Sequence, residues 1–175
     1  MELAVCGRGP AVDAIAAAAE DIDGTVRQIE PTALSEETAS LPAVGAVVAP
    51  TGAEVFPVAT DHFDRWVAVE IGGLGGYPID DIDAAVTTFG PDTACYRCLT
   101  YRVGAHENAS GESPRGDRST VRLAGAIAGN RLISLLAGET TGGTIRELPG
   151  PERHLLSVPD CDCGGDGAVS RSLPL

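Results

Sequence analysis

Two tight cysteine pairs carry the most specific chemistry in this sequence: Cys95-Tyr96-Arg97-Cys98 and, well downstream, Cys161-Asp162-Cys163. Zinc favours four soft thiolates in a tetrahedron, and a two-residue gap lets one turn deliver both sulfurs of a pair to one ion. Cys95, Cys98, Cys161 and Cys163 are therefore expected to hold a structural zinc. Four protein ligands would leave no position for water, so such an ion would staple the chain rather than catalyse. Its binding free energy would become folding free energy, because the ligands must lose their protons and no site exists in the unfolded chain. The second pair has one intervening residue instead of two, which strains ligation of a single ion. Disulfides, or unrelated buried thiols, are the competing readings of the same four residues. The fifth cysteine, Cys6, lies in an apolar strand-like run and reads as a core thiol.

Positioning that quartet falls to an alternation of strands and helices. Glu2 to Cys6 reads as a strand, Gly7-Arg8-Gly9-Pro10 as a turn, and Ala11 to Glu20 as a helix with Pro10 in its first turn. Further strands are expected at Gly24 to Glu30, Val44 to Ala49 and Trp66 to Ile71, with helical or irregular connections. This pattern implies an α/β, Rossmann-like fold, a mostly parallel sheet with helices on both faces. A helix should continue from Cys98 through Arg102 to Ala105. Ser119 or Thr120 should cap a largely buried helix reaching about Leu136, stopped by Gly138 and Gly142-Gly143. Thr144 to Glu147 and Arg153 to Val158 read as a β-hairpin that carries Cys161 and Cys163 back to the metal, giving a zinc-stapled C-terminal hairpin. One domain is expected over 1–163, with a polar loop from Glu107 to Asp117, and a loose tail over 164–175. The end of that tail, Val169 to Leu175, reads as a cut from a longer fused ancestor.

Gly7 and Gly9 invite a second function, since a glycine turn at a helix N-terminus can offer backbone N–H groups to a phosphate. The third glycine of the dinucleotide fingerprint would fall at Val12, and Glu30 is the acid that ends the second strand. A tight strand-to-helix turn explains the same glycines, and ATP is not expected as a resident cofactor. Arg8 is the placed phosphate grip. Gly72, Gly73, Gly75 and Gly76 imply special backbone angles, either at a peptide or ligand cleft or at a sheet-edge turn. Asp80-Asp81-Ile82-Asp83 reads as a solvated face, lacking the glycine and distal glutamate of a calcium loop. His62, His106 and His154 are scattered, and no catalytic constellation is expected.

Charge narrows the partners. The 175 residues hold 25 acids against 12 basic residues, all arginine, for a net charge of -13. A nucleic-acid backbone needs a basic face, so nucleic acid is excluded as an expected partner. Acidic charge without lysine, on an Ala-, Val-, Gly- and Thr-rich chain, points to a high-salt cytoplasm. At about molar salt the Debye length is roughly 3 Å and self-repulsion is screened. A haloarchaeal source is the expectation. No basic leader opens the chain and no apolar run is long enough to span a bilayer, so neither secretion nor a membrane is expected. In a cytoplasmic protein the thiols stay reduced and available to metal.

The order Trp66-Val67-Ala68-Val69-Glu70-Ile71-Gly72-Gly73, then Phe89-Gly90-Pro91-Asp92-Thr93-Ala94-Cys95-Tyr96-Arg97-Cys98-Leu99, then a long helix, a hairpin and a cysteine pair, resembles the ThiF-like, ubiquitin-activating-enzyme-like fold. More closely it is similar to the scaffold segment found beside or fused ahead of YcaO domains in thiazole/oxazole-modified peptide biosynthesis, haloarchaeal proteins included. The resemblance runs from Trp66 to Cys163. It implies structural zinc on Cys95, Cys98, Cys161 and Cys163. It also implies a non-catalytic scaffold for a YcaO-type enzyme, which uses ATP to cyclise peptide backbone amides, and presentation of that enzyme's precursor peptide. The sheet edge and Gly72 to Gly76 are the expected docking surfaces. The alternatives are a ThiF-type adenylyltransferase with Gly7 and Gly9 at the phosphates, and a structural zinc-binding remnant of a fused protein. The partners expected are the YcaO-type enzyme and precursor peptide, with a homodimer as a further assembly.

Overall fold

Strands whose two faces are both covered read as continuous apolar runs, and here helices cover both faces of one sheet. The computed structural model describes residues 2–34, 40–105, 116–139, 142–159, 161 and 163. Its elements are β1 (Glu2–Cys6), α1 (Pro10–Glu20), β2 (Thr25–Ile29), α2 (Pro31–Leu34), β3 (Val44–Pro50), α3 (Val55–His62), β4 (Arg65–Ile71), β5 (Gly73–Leu74), β6 (Tyr77–Pro78), β7 (Ala84–Phe89), α4 (Tyr96–Gly104), α5 (Arg118–Ala137), β8 (Thr144–Leu148) and β9 (Glu152–His154). The main sheet is ordered β2-β1-β3-β4-β7-β8-β9, and β5 and β6 form a separate ribbon. Strands β2, β1, β3 and β4 are parallel neighbours, the Rossmann-like part. Beyond β4 the pairing turns antiparallel, with Trp66 opposite Phe89 and Thr88 opposite Thr144. Strands β2, β1, β3, β4 and β8 thus run one way and β7 and β9 the other.

Alternation along each strand sorts side chains into two cores. On one face Trp66 and Ala68 pack with Phe56 of α3 and Tyr96 and Leu99 of α4. Trp66 stacks on Phe89 with ring centroids 4.5 Å apart. On the other face Val5, Val67 and Val69 meet Ile15 of α1 and Leu132 of α5. No helix among the described residues is long and apolar enough to cross a membrane.

Several expectations need correction. Strand β7 was not foreseen, although it lies inside the sheet between β4 and β8. The cap of α5 is Asp117 rather than Ser119 or Thr120. Its carboxylate accepts from the backbone N–H of Ser119 at 3.1 Å and of Thr120 at 3.2 Å. The hairpin's second strand ends at His154. His106, residues 107–115 of the polar loop and the tail 164–175 lie outside the described residues.

Helices α1 and α5 run parallel, with Gly125 against Ala11 and Gly129 against Ile15 and Ala18. A Cβ on Gly125 would lie 2.3 Å from the Ala11 carbonyl oxygen. Helix propensity alone favours alanine there by about 1 kcal/mol. Overlap with backbone outweighs it, because α1 cannot move without lifting from the sheet. Gly125→Ala should therefore lose about 1–3 kcal/mol, read as a fall in the denaturant midpoint. A raised midpoint would show that the two helices can separate freely.

Candidate metal centre

Helix α4 begins at the first cysteine pair. Cys95 is its cap, in extended backbone, and Cys98 lies buried in its first turn, so the two-residue gap turns both sulfurs to the same side of the helix start. The free N–H groups and dipole of a helix N-terminus favour thiolate there. The second pair arrives on the segment after β9, which is fastened along α4. Leu155 N–H donates to Gly143 O at 2.8 Å, and the Arg102 guanidinium donates to the carbonyls of Leu156 and Ser157. Val158 N–H donates to the Cys98 sulfur at 3.3 Å.

The four Sγ atoms all lie within 4.8 Å of one another. Cys95 Sγ is 3.9 Å from Cys98 Sγ and 3.6 Å from Cys161 Sγ, and Cys98 Sγ is 3.4 Å from Cys163 Sγ. None is in a disulfide. A tetrahedron of thiolates with metal–sulfur bonds of about 2.3 Å has edges of about 3.8 Å, so the quartet has the size that one ion requires. The short Cys161-x-Cys163 spacing is accommodated, since each of its sulfurs sits against a different member of the first pair. The four cysteines expected to act together are together.

Charge in the cluster is arranged for a cation. Backbone N–H groups of Cys98, Cys163 and Cys95 face the sulfurs of Cys95, Cys161 and Cys163 respectively. The one from Cys163 draws the Cys161 thiol down to about 7. Burial pushes the Cys95 and Cys163 thiols up. An ion bound there would drive off the protons that burial favours on Cys95 and Cys163. Cys6 is apart from this chemistry, fully buried, its thiol pushed up to about 11 by burial and then by Glu30.

No protein-family model and no curated protein matches the chain.

A second polar constellation, unassigned from sequence, stands behind the first. Glu70 on β4 is fully buried. Its Oε1 accepts from Tyr96 OH at 2.9 Å, Gly76 N–H at 2.9 Å and Thr51 Oγ1 at 3.1 Å, and its Oε2 accepts from Gly75 N–H at 2.8 Å. Burial raises the Glu70 carboxyl above the ordinary carboxylate range, against the pull of the four donors, which all favour the charged form. Tyr96 is pushed upward by burial and then by the Glu70 charge, so it donates as a neutral phenol. Tyr96 is also the residue between Cys95 and Arg97, and it joins the cysteine cluster to the end of the sheet. The signal for Glu70 was parity: Trp66, Ala68 and Glu70 share one face of β4, and an acid on a core-facing register needs partners.

This corrects the reading of Gly72 to Gly76 as an open docking surface. Gly72, Gly73, Leu74 and Gly75 are buried, and the N–H groups of Gly75 and Gly76 point inward at Glu70. A cavity of about 850 Å³ opens instead between α3 and α4, walled by Cys95, Cys161 and Cys163 and by Tyr77, Tyr96 and Tyr101. These are all the tyrosines of the chain.

Gly7 and Gly9 lie at the exit of β1 and the start of α1. A Cβ on Gly7 would fall 2.2 Å from the Val48 carbonyl oxygen, so packing on β3 requires glycine there. Arg8 is ion-paired with Glu30 at 2.7 Å on the surface. Asp80 and Asp81 are exposed, His62 is half-buried at the end of α3, and His154 is exposed on β9.

Proposed function

We propose that the ion is zinc and that the chain is a non-catalytic scaffold, docking a YcaO-type ATP-dependent peptide-backbone cyclodehydratase and presenting its precursor peptide. The observation that carries this reading is the closed tetrahedron. Four thiols, from α4 and from the segment after the hairpin, leave no coordination position for water or substrate, so the ion holds structure. It stands on a Rossmann-like sheet, the combination that the resemblance implies. Two surfaces suit docking: the β2 edge, where an extended peptide can add as a strand, and the tyrosine-walled cavity beside the metal.

Iron accepts the same four thiolates, so elemental analysis of protein purified without chelator separates the metals, with about one zinc per chain expected. For the scaffold role, the chain and the YcaO-type enzyme of the same genome should co-elute on size exclusion. The chain should also speed ATP-dependent modification of the precursor peptide, and zinc-depleted chain should do neither. An enzyme that ignores the zinc-loaded chain in both assays rejects the scaffold.

A second reading rests on topology. The sheet order places the strand-order reversal at β1, between β2 and β3, and Gly7-Arg8-Gly9 leaves β1 there, where ligands bind in open α/β sheets. ATP binding that is lost on Gly9→Val would select a ThiF-type adenylyltransferase.

A further inference from the structure

Three of the four clustered sulfurs belong to residues that open onto the cavity between α3 and α4. Cys95, Cys161 and Cys163 are half-buried and line it, whereas Cys98 is fully buried and accepts from the Val158 N–H at 3.3 Å. The closest sulfur contacts run across the two pairs. Cys95 Sγ is 3.6 Å from Cys161 Sγ and Cys98 Sγ is 3.4 Å from Cys163 Sγ, both shorter than the 3.9 Å between Cys95 and Cys98. Side-chain rotation alone can bring sulfurs this close into bonding distance. Each crosswise bond would tie α4 to the segment after β9, the same two pieces of chain that a bound ion joins. That segment is also held by bonds that involve no sulfur: Arg102 to the carbonyls of Leu156 and Ser157, and Leu155 N–H to Gly143 O. Loss of the ion therefore leaves the facing sulfurs side by side.

We propose that the quartet is an oxidation site for hydrogen peroxide, at which two crosswise disulfides, Cys95–Cys161 and Cys98–Cys163, replace the ion and keep the C-terminal segment fastened. The proposal rests on the reading of the quartet as a zinc site and is independent of the scaffold role. A thiolate facing the cavity attacks one peroxide oxygen and the O–O bond breaks. The sulfur becomes a sulfenic acid, and the hydroxide that leaves takes a proton to form water. The sulfur opposite then attacks the sulfenic sulfur, the S–O bond breaks, and a second hydroxide leaves and is protonated to water. Two thiolates, one peroxide and two protons thus give one disulfide and two waters. The sulfurs are oxidised, the peroxide is reduced, and zinc, which has no redox chemistry, departs as the divalent ion once its thiolates are gone. Exposure sets the order. Cys95 and Cys161 both line the cavity and pair first, and buried Cys98 reacts only as the partner of Cys163. Cys6, fully buried apart from the cluster, takes no part.

Titration of the zinc-loaded chain with hydrogen peroxide provides the test. Zinc release is read with a colorimetric chelator too weak to strip the unoxidised site, and cysteine pairs are mapped by mass spectrometry. Arg97 lies between Cys95 and Cys98, and Asp162 between Cys161 and Cys163, so trypsin with an Asp-specific protease puts each cysteine on its own peptide. All the zinc should be released at about two peroxides per ion, with Cys95 joined to Cys161, Cys98 joined to Cys163 and Cys6 left as a thiol. Reduction followed by added zinc should restore the loaded chain. Oxidised chain, although free of zinc, should be cut beyond His154 at least about tenfold more slowly than reduced, zinc-free chain, because the loop stays closed. Cys98→Ser/Cys163→Ser should still form the Cys95–Cys161 bond and keep that protection, which separates pairing from metal binding. Zinc retained under peroxide, a disulfide between Cys95 and Cys98, or sulfinic acid in place of disulfides overturns the proposal. A chain that takes up no zinc before peroxide is added rejects the metal reading itself, and the proposal falls with it. A loaded chain that fails only afterwards sinks the proposal alone.

Discussion

Replacing Cys95 and Cys161 together by serine should remove all bound metal and lower stability by about 4 kcal/mol or more. The staple joins residues 66 apart, and closing a loop of that length is worth about 4 kcal/mol in the chain-entropy model. Small zinc domains lose of order 10 kcal/mol and unfold without metal. Complete unfolding is not expected here, because the β1–β4 strands keep two helix-covered cores of their own. Loss should instead concentrate in the segment after β9, whose other fastenings to α4 are the Arg102 bonds and the Val158 N–H to Cys98. Limited proteolysis should cut the variant beyond His154 while the rest of the chain persists. A metal-free variant that melts with the native protein and resists cutting there would show that the cluster is not a staple.

Glu70→Leu should cost about 3–5 kcal/mol, since it strands several buried donors at about 1–3 kcal/mol each. Two backbone N–H groups and the hydroxyls of Tyr96 and Thr51 would face an apolar side chain. Glu70→Gln retains the shape, yet its amide N–H groups must face a donor whichever way it turns, so a loss of about 1–3 kcal/mol is expected. The variants also separate in pH. A carboxyl whose folded pKa is raised gives stability that is full below its unfolded value and declines as pH rises through the folded one. Native protein should show that decline above the ordinary carboxylate range, and Glu70→Gln should lack it. Matching pH profiles would mean that Glu70 titrates alike in both states.

Much of this was legible because the residues concerned obey a period or a fixed spacing. β1, β3 and β4 announced themselves as apolar runs between turn residues, β2 as the short stretch Thr25-Val26-Arg27-Gln28-Ile29 after Gly24, and α5 by its apolar girth and its glycine stop. The cysteine pairs were legible from spacing alone. Strand β7, Ala84–Phe89, was not, since it is buried on both faces and offers no alternation, only small residues and threonines after an acidic run. Its antiparallel insertion also depends on pairing with β8, which lies far along the chain. Glu70 was missed for a different reason. A single acid in an apolar run looks like noise until its four donors, from three separate segments, are placed around it.

The order of the two cysteine pairs along the chain sets a race during synthesis. At roughly 5–20 residues per second, the 66 residues from Cys95 to Cys161 take about 3–13 s to make. Through that interval Cys95 and Cys98 stand as a bare dithiol at a nascent helix start, where thiolate character invites oxidation or capture by a two-coordinate soft metal. An ion that bridges both pairs can be held only once Cys161 and Cys163 have been made, so whatever the first pair captures in those seconds has to be exchanged or carried into the complete site.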